Sequence, residues 1–232
     1  MAPEHQAALS AYAARAAWPD GFQIYARGDL AEGVFLVRSG RVVLRSHVRG
    51  PRGFVPWIAT AGETFGTEGL SPSAAYATDA RADGLSETLF LSAARLRTFV
   101  REQPIHMLAL LGQIAAERTA LLERLHEVTT LTVEARVIAA LPRMAAPEEA
   151  TGGRSRIEMG TGRSRLLCEM IGATRESVSL ALARLAGNGL VERDGQTLYI
   201  ASAAQFRRAA QTGDVLLPDT VSKEFAPPSA AR

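Results

Sequence analysis

The sequence predicts an α+β chain: a small β-rich domain, then a long helix, then a compact helical domain closed by a β-hairpin. Three observations predict it. Short β-rich runs separated by turn residues fill the stretch from about Phe22 to Leu91. From Pro104 to about Thr130 only Gly112 interrupts a helical pattern. From Leu166, two short amphipathic segments meet at Gly172, and a hairpin signal follows at Asp194-Gly195.

Composition narrows the function classes. The chain has 232 residues, room for one large or two ordinary domains. Hydrophobic residues make up 47% and charged residues 22%, the balance of a soluble globular protein. No apolar run approaches the roughly 18 residues needed to span a bilayer. The opening "MAPEHQAALSAYAARAAW" has no basic start followed by an apolar core, so a cytoplasmic location without membrane association is expected. A net charge of +2 does not by itself announce a polyanion partner. Lys223 is the only lysine, a bias toward Arg that carries no functional weight. The single cysteine, Cys168, excludes a disulfide framework, a four-cysteine zinc site and a cysteine-ligated iron–sulfur cluster. The histidines, His5, His47, His106 and His126, show no metal-ligand spacing, which leaves a lone haem ligand open but favours surface or satisfied residues. No catalytic residues and no metal ligands are expected.

In the β-rich part, "VFLV" and "RVVLRS" read as strands separated by a turn at Ser39-Gly40. Gly28-Asp29, Gly50-Pro51, Gly62 and Gly66 mark further turns, a spacing that suits a small barrel or sandwich. In the helix that Pro104 opens, Met107, Leu110, Ile114, Leu121 and Val128 fall on one apolar seam. A second seam, one residue on, holds Leu108, Leu111, Ala115, Leu122 and Leu125. A helix of about 27 residues with two adjacent apolar stripes needs two surfaces to bury against. One is its own β-domain; the other is a second copy of the chain. The expected dimer interface comprises Met107, Leu110, Ile114, Leu121, Leu125 and Val128. Leu131-Thr132 reads as a hinge, "VEARVIAALPRMA" as a third amphipathic stretch, and "APEEATGGRSR" as a polar loop.

"LLCEMIGATRESVSLALARL" has the parts of a helix-turn-helix. Leu167, Met170 and Ile171 give the first helix an apolar face, and Cys168 is small where two helices must touch. Gly172 permits the turn and Thr174 is a good N-cap. Val178, Leu182 and Leu185 bury one face of the second helix, leaving Arg175, Glu176 and Ser179 projecting from its first turns. Such a helix start can enter a major groove, where Arg donates two bonds to guanine and Glu accepts one from cytosine. Thr174 and Ser177, with Arg163 and Arg165 before the first helix, are candidate phosphate contacts. "GLVERDGQTLYI" reads as a two-stranded wing. The plainer reading is a solvated charged helix in an unrelated helical domain.

From about Phe22 to Ile200 the chain resembles the family of the catabolite activator protein and the fumarate–nitrate reduction regulator. "IYARGDLAEGVFLVRSGRVVLR" looks like its β-roll signature, Pro104–Thr130 like its dimerisation helix, and "GATRESVSLALARLAGNGLV" like its recognition motif. The resemblance implies a cyclic-nucleotide-binding-like β-roll with an N-terminal helix over 1–103, and a dimerisation helix and hinge over 104–131. It implies a winged helix-turn-helix over 132–210, before a tail over 211–232 expected to be disordered. It further implies a homodimeric transcription regulator that reads an inverted repeat in double-stranded DNA and contacts RNA polymerase.

The resemblance breaks in two places. Members that bind cyclic AMP use a Glu and an Arg-Ser pair in the segment that here reads "GETFGTEGLSPSAAYATDARA". Gly66 and Gly69 match, but Thr67 stands at the Glu position with Glu68 next, and Tyr76 and Ala77 stand for Arg-Ser. The helix positions that meet the adenine are Leu121 and Leu122. With no Arg to neutralise a phosphate, cyclic AMP is not expected, and the effector is undefined. In the reading helix, Leu180 stands where members carry a second Arg. A catalytic β-domain on a helical module, or a sensor with a vestigial helix-turn-helix, are the competing readings. The first lacks a nucleophile–base pair and a phosphate loop; the second does not explain an intact Arg175-Glu176.

Overall fold

The computed structural model describes residues 1–47, 53–145 and 155–200. The turn at Gly50-Pro51, most of the 146–156 loop and the segment beyond 210 lie outside them. Contacts divide the chain into two compact units between Leu125 and His126.

The first unit opens with α1 (Pro3–Ser10), β1 (Ala14–Trp18) and β2 (Gln23–Tyr25). It continues through β3 (Gly33–His47), β4 (Gly53–Thr60), β5 (Thr64–Phe65), a 3-10 turn (Thr67–Leu70) and β6 (Asp79–Ser92). Then come α2 (Ala93–Glu102) and α3 (Met107–Thr130), which runs across the division. The strands form one antiparallel sheet in the order β1-β6-β3-β4, with β2 paired to β6 and β5 to β3. The expected long helix begins later than Pro104, because Pro104–His106 form a 3-10 turn before the α-helix proper.

The reversal expected at Ser39-Gly40 does not occur. Both segments lie in the single strand β3, whose pairing with β6 shifts register between Val37 and Ser39 and again between Ser39 and Arg41. Gly40 has φ +77°, and a Cβ there would sit 2.5 Å from the Leu85 carbonyl oxygen. The glycine thus bends a continuous strand through a bulge instead of turning it back. Strand β1 carries no β-branched residue; pairing with β6, not local propensity, makes "ARAAW" a strand.

Two apolar clusters fill this unit. Tyr25, Phe35, Phe65 and Tyr76 form an aromatic core, with Tyr25 stacked on Tyr76 at 3.7 Å and Phe35 on Phe65 at 4.9 Å. The other cluster joins Leu9, Leu36, Leu91 and Phe99 to Leu110 of α3, with Ile114 packed against it.

In the second unit α4 (Val133–Met144) starts at Thr132, whose side chain accepts from the Ala135 amide at 3.3 Å. Val137, Ile138, Leu141 and Met144 bury its apolar face. Next come β7 (Ser155–Glu158), α5 (Thr161–Ile171), α6 (Arg175–Gly187), β8 (Val191–Asp194) and β9 (Thr197–Ile200). The expected two-stranded wing is present and gains a third strand, in the order β7-β9-β8.

The expected family glycines have a steric reason. A Cβ on Gly69 would lie 2.1 Å from the Gly33 carbonyl oxygen, so the 3-10 turn and β3 touch backbone to backbone. Gly69→Ala is expected to destabilise this unit by about 1–3 kcal/mol, as overpacked sites do. Urea unfolding checks this; an unchanged midpoint contradicts it.

Candidate nucleic-acid interface and effector cavity

Helices α5 and α6 form the expected helix-turn-helix. Gly172, with φ +62°, ends α5 by donating its amide to the Cys168 carbonyl. The Arg136 guanidinium donates to the Ile171 carbonyl at 2.7 Å, satisfying another acceptor at that helix end. Thr174 then caps α6: its hydroxyl oxygen accepts from the Ser177 amide at 3.2 Å and lies 3.0 Å from the Ser177 hydroxyl. Val178, Ala181 and Leu185 are buried, while Leu182, expected on that face, is half-buried. The small Ala181 fills the close contact instead.

This geometry leaves Arg175, Glu176 and Ser179 exposed on the first turns of α6, with Leu180 beside them at 56% exposure. The free amides of the capped helix start offer hydrogen bonds and a partial positive charge to an anion. Arg163 and Arg165 lie within α5 instead of preceding it. Arg165 pairs with Glu169 one turn on, at 2.9 Å, while its side chain stays 66% exposed. Cys168 is half-buried, and burial pushes its thiol up from the ordinary value, which suits packing better than nucleophilic chemistry.

The first unit holds a cavity of about 330 Å³. Strands β2, β3 and β4 contribute Tyr25, Leu44, Ser46, Phe54, Pro56 and Trp57. Gly66, Glu68, Ala77 and Thr78 line another wall, and α3 adds Glu117 and Leu121. Of the expected pocket residues, Gly66, Glu68, Ala77 and Leu121 line this space. Tyr76 does not: it is buried in the aromatic core, where its hydroxyl donates to the Gly33 carbonyl at 3.3 Å. Leu122 faces away at 56% exposure. Thr67 reaches the site through a hydrogen bond to the Glu117 carboxyl. The Ala77 amide donates to Glu68 Oε1 at 3.0 Å.

Sequence reasoning missed Glu117, whose charge breaks the apolar seam that runs from Met107 to Val128. That break was the signal, since a charge on a buried stripe marks a polar neighbour. Burial, and then the Glu68 charge, push the Glu117 carboxyl up to about 7; Glu63 adds to this and the Thr67 hydrogen bond opposes it.

Helix α3 separates its two seams. Leu110 is 6% exposed and, with Ile114, packs into its own β-domain, so these two expected interface residues are spent inside the protomer. The other seam stays bare: Leu108, Leu111, Leu122 and Leu125 are 78%, 48%, 56% and 60% exposed. Met107 and Leu121 are each 39% exposed, and Val128 is half-buried.

A β-roll followed by a winged helix-turn-helix defines a class, the DNA-binding transcription regulators. The family model described as a cyclic nucleotide-binding domain matches residues 17–103, and that of the Crp-like helix-turn-helix domain matches residues 135–209. The cyclic AMP receptor protein of Thermus thermophilus is 28% identical over 214 residues, which cover 90% of this chain and 94% of that one. The fold matches that of the c-di-GMP-responsive global regulator CLP of Xanthomonas campestris, with TM-score 0.74 and 20% identity over 87% of this chain and 100% of the other. It also matches FixK2 of Bradyrhizobium japonicum, with TM-score 0.69 and 20% identity over 84% and 96% of the two chains. The chain belongs to the Crp/Fnr family of transcription regulators.

The raised Glu117 carboxyl sets a pH test. The folded state holds that proton more tightly than the unfolded chain does, so stability falls as pH rises from about 4.5 to about 7. Solvent screening at this half-buried group holds the effect to the order of 1–2 kcal/mol. Glu117→Gln is expected to exceed the parent in stability at pH 8 and to match it below pH 4.5. Parallel melting curves across that range contradict the assignment.

Proposed function

We propose that this regulator works as a homodimer that reads an inverted-repeat operator in double-stranded DNA, without depending on cyclic AMP. The observation that carries the reading is the start of α6. A threonine cap and a turn glycine present Arg175 and Glu176 as exposed side chains on the first turn, at a helix end where amides attract phosphate. Arg175 bonds guanine in a bidentate manner and Glu176 selects a cytosine amino group. Ser179 is a third base contact. Leu180 offers its exposed side chain to a thymine methyl group in place of a second arginine. Thr174, Ser177, Arg163 and Arg165 hold the phosphates. A cytoplasmic setting, contact with RNA polymerase and a role in binding instead of catalysis go with this reading.

The bare α3 seam supports the dimer. Leucines exposed at adjacent helical positions form a patch that a coiled-coil partner covers. Two copies related by a two-fold axis put their α6 helices into successive major grooves, about 34 Å apart.

The cavity supports independence from cyclic AMP. The relatives named for cyclic AMP and c-di-GMP respond to phosphate-bearing anions by their names. Here the side chains Glu68 and Glu117 face the space, and no basic side chain lines it among the described residues. Two carboxyl groups repel a phosphodiester, so a cyclic nucleotide does not fit the residues present.

Two outcomes test the reading. Arg175→Ala is expected to cost about 1–3 kcal/mol per half-site and to relax preference at one base pair, measured on the operator and each single-base variant. Uniform loss across all variants, with a salt slope lower by about one, makes Arg175 a phosphate contact instead. Leu111→Lys with Leu125→Lys is expected to give monomers in sedimentation and to weaken operator binding about tenfold or more. An unaltered dimer contradicts the assignment of that face.

A further inference from the structure

Three buried polar atoms of residues that line the β-domain cavity lack hydrogen-bond partners among the described residues: the Tyr25 hydroxyl, the Trp57 indole N–H and Glu117 Oε2. Tyr25 is only 7% exposed, and Thr78 lies beside its hydroxyl. Buried polar groups are rarely left unpaired, and these three belong to residues that line one space. Leu44, Phe54, Pro56 and Leu121 give the space an apolar wall as well. Water alone could satisfy the polar atoms but would gain nothing from that wall; a molecule with an apolar body and a polar head gains from both. A space of about 330 Å³ is at the small end of ligand sites.

Charge decides the kind of head group. Glu68 keeps one oxygen on the Ala77 amide, and Glu117 has one unpartnered oxygen. Arg124 is buried over the Phe54 ring at 5.9 Å, does not line the space and is already engaged with another group. An anionic ligand meets two carboxyl groups; a cation meets its counter-ions, and the aromatic rings of Trp57 and Tyr25 add attraction for it.

We propose that this cavity binds a small arylalkyl amine, its ammonium group held by Glu117 and Glu68 and its apolar body laid on Leu44, Phe54 and Leu121. This rests on the reading of the β-domain as an effector domain and names the class of effector. The cation prefers an ionised Glu117, so binding strengthens as pH rises through 7.

The experiment uses three nearly isosteric probes on the full chain: 2-phenylethylamine, 2-phenylethanol and 3-phenylpropanoate, titrated by calorimetry at pH 6 and pH 8. The amine is expected to bind most tightly and more so at pH 8, with the propanoate not binding. Glu117→Gln and, separately, Glu68→Gln are expected to remove the preference for the amine over the alcohol while each melts as a folded protein. Equal affinity for the three probes, tighter binding of the propanoate or of cyclic AMP, or no binding of the amine at millimolar concentration overturns the proposal. Operator selection is scored on the same preparations. Amine binding without operator recognition leaves the cavity assignment standing and defeats the DNA reading, and the converse defeats only the cavity.

Discussion

Helix α3 has more apolar surface than one protomer can bury, and the architecture follows from that excess. Its inner seam, through Leu110 and Ile114, closes the core beneath β3 and β6. Its outer seam, from Leu108 to Leu125, stays in water unless a second chain covers it. Burial stabilises at about 25 cal/mol per Å² of apolar surface, so several leucines left bare are a strong drive to association. In the proposed homodimer, a helix committed on both sides ties the β-domain of a protomer to its partner. One helix therefore closes the β-domain with one face and, in the proposed homodimer, sets the symmetry with which DNA is met by the other.

The second constraint is local, and it works by stopping one helix and starting another within three residues. Gly172 in the left-handed region ends α5, and Thr174 opens α6 by capping Ser177. The buried Val178, Ala181 and Leu185 fix the rotation of α6, so Arg175, Glu176 and Ser179 face outward by periodicity and not by chance.

Much of this was legible in the sequence, for physical reasons that also explain the misses. The helix-turn-helix was readable because its signals are local: a turn glycine, a cap and a heptad-like apolar spacing. The seams of α3 were readable as a pair, but which one turned inward depended on tertiary contacts with Leu36, Leu91 and Phe99. Strand β1, with only alanines, Arg15 and Trp18, has no propensity signal and exists because β6 offers it a partner. Gly40 was read as a reversal because positive φ serves turns and bulges alike. Tyr76 was placed in the pocket by alignment to a motif, yet an aromatic ring there gains more by stacking on Tyr25. Glu117 was hidden for the opposite reason, as a charge whose cavity is assembled from distant strands.

The central claim is that two copies of α6 read DNA with two-fold symmetry. Guanine methylation interference on DNA selected from a random pool tests it most directly. The account predicts two symmetric sets of essential guanines in adjacent major grooves, separated by about one helical turn. A single unpaired set, or interference without two-fold symmetry, contradicts it.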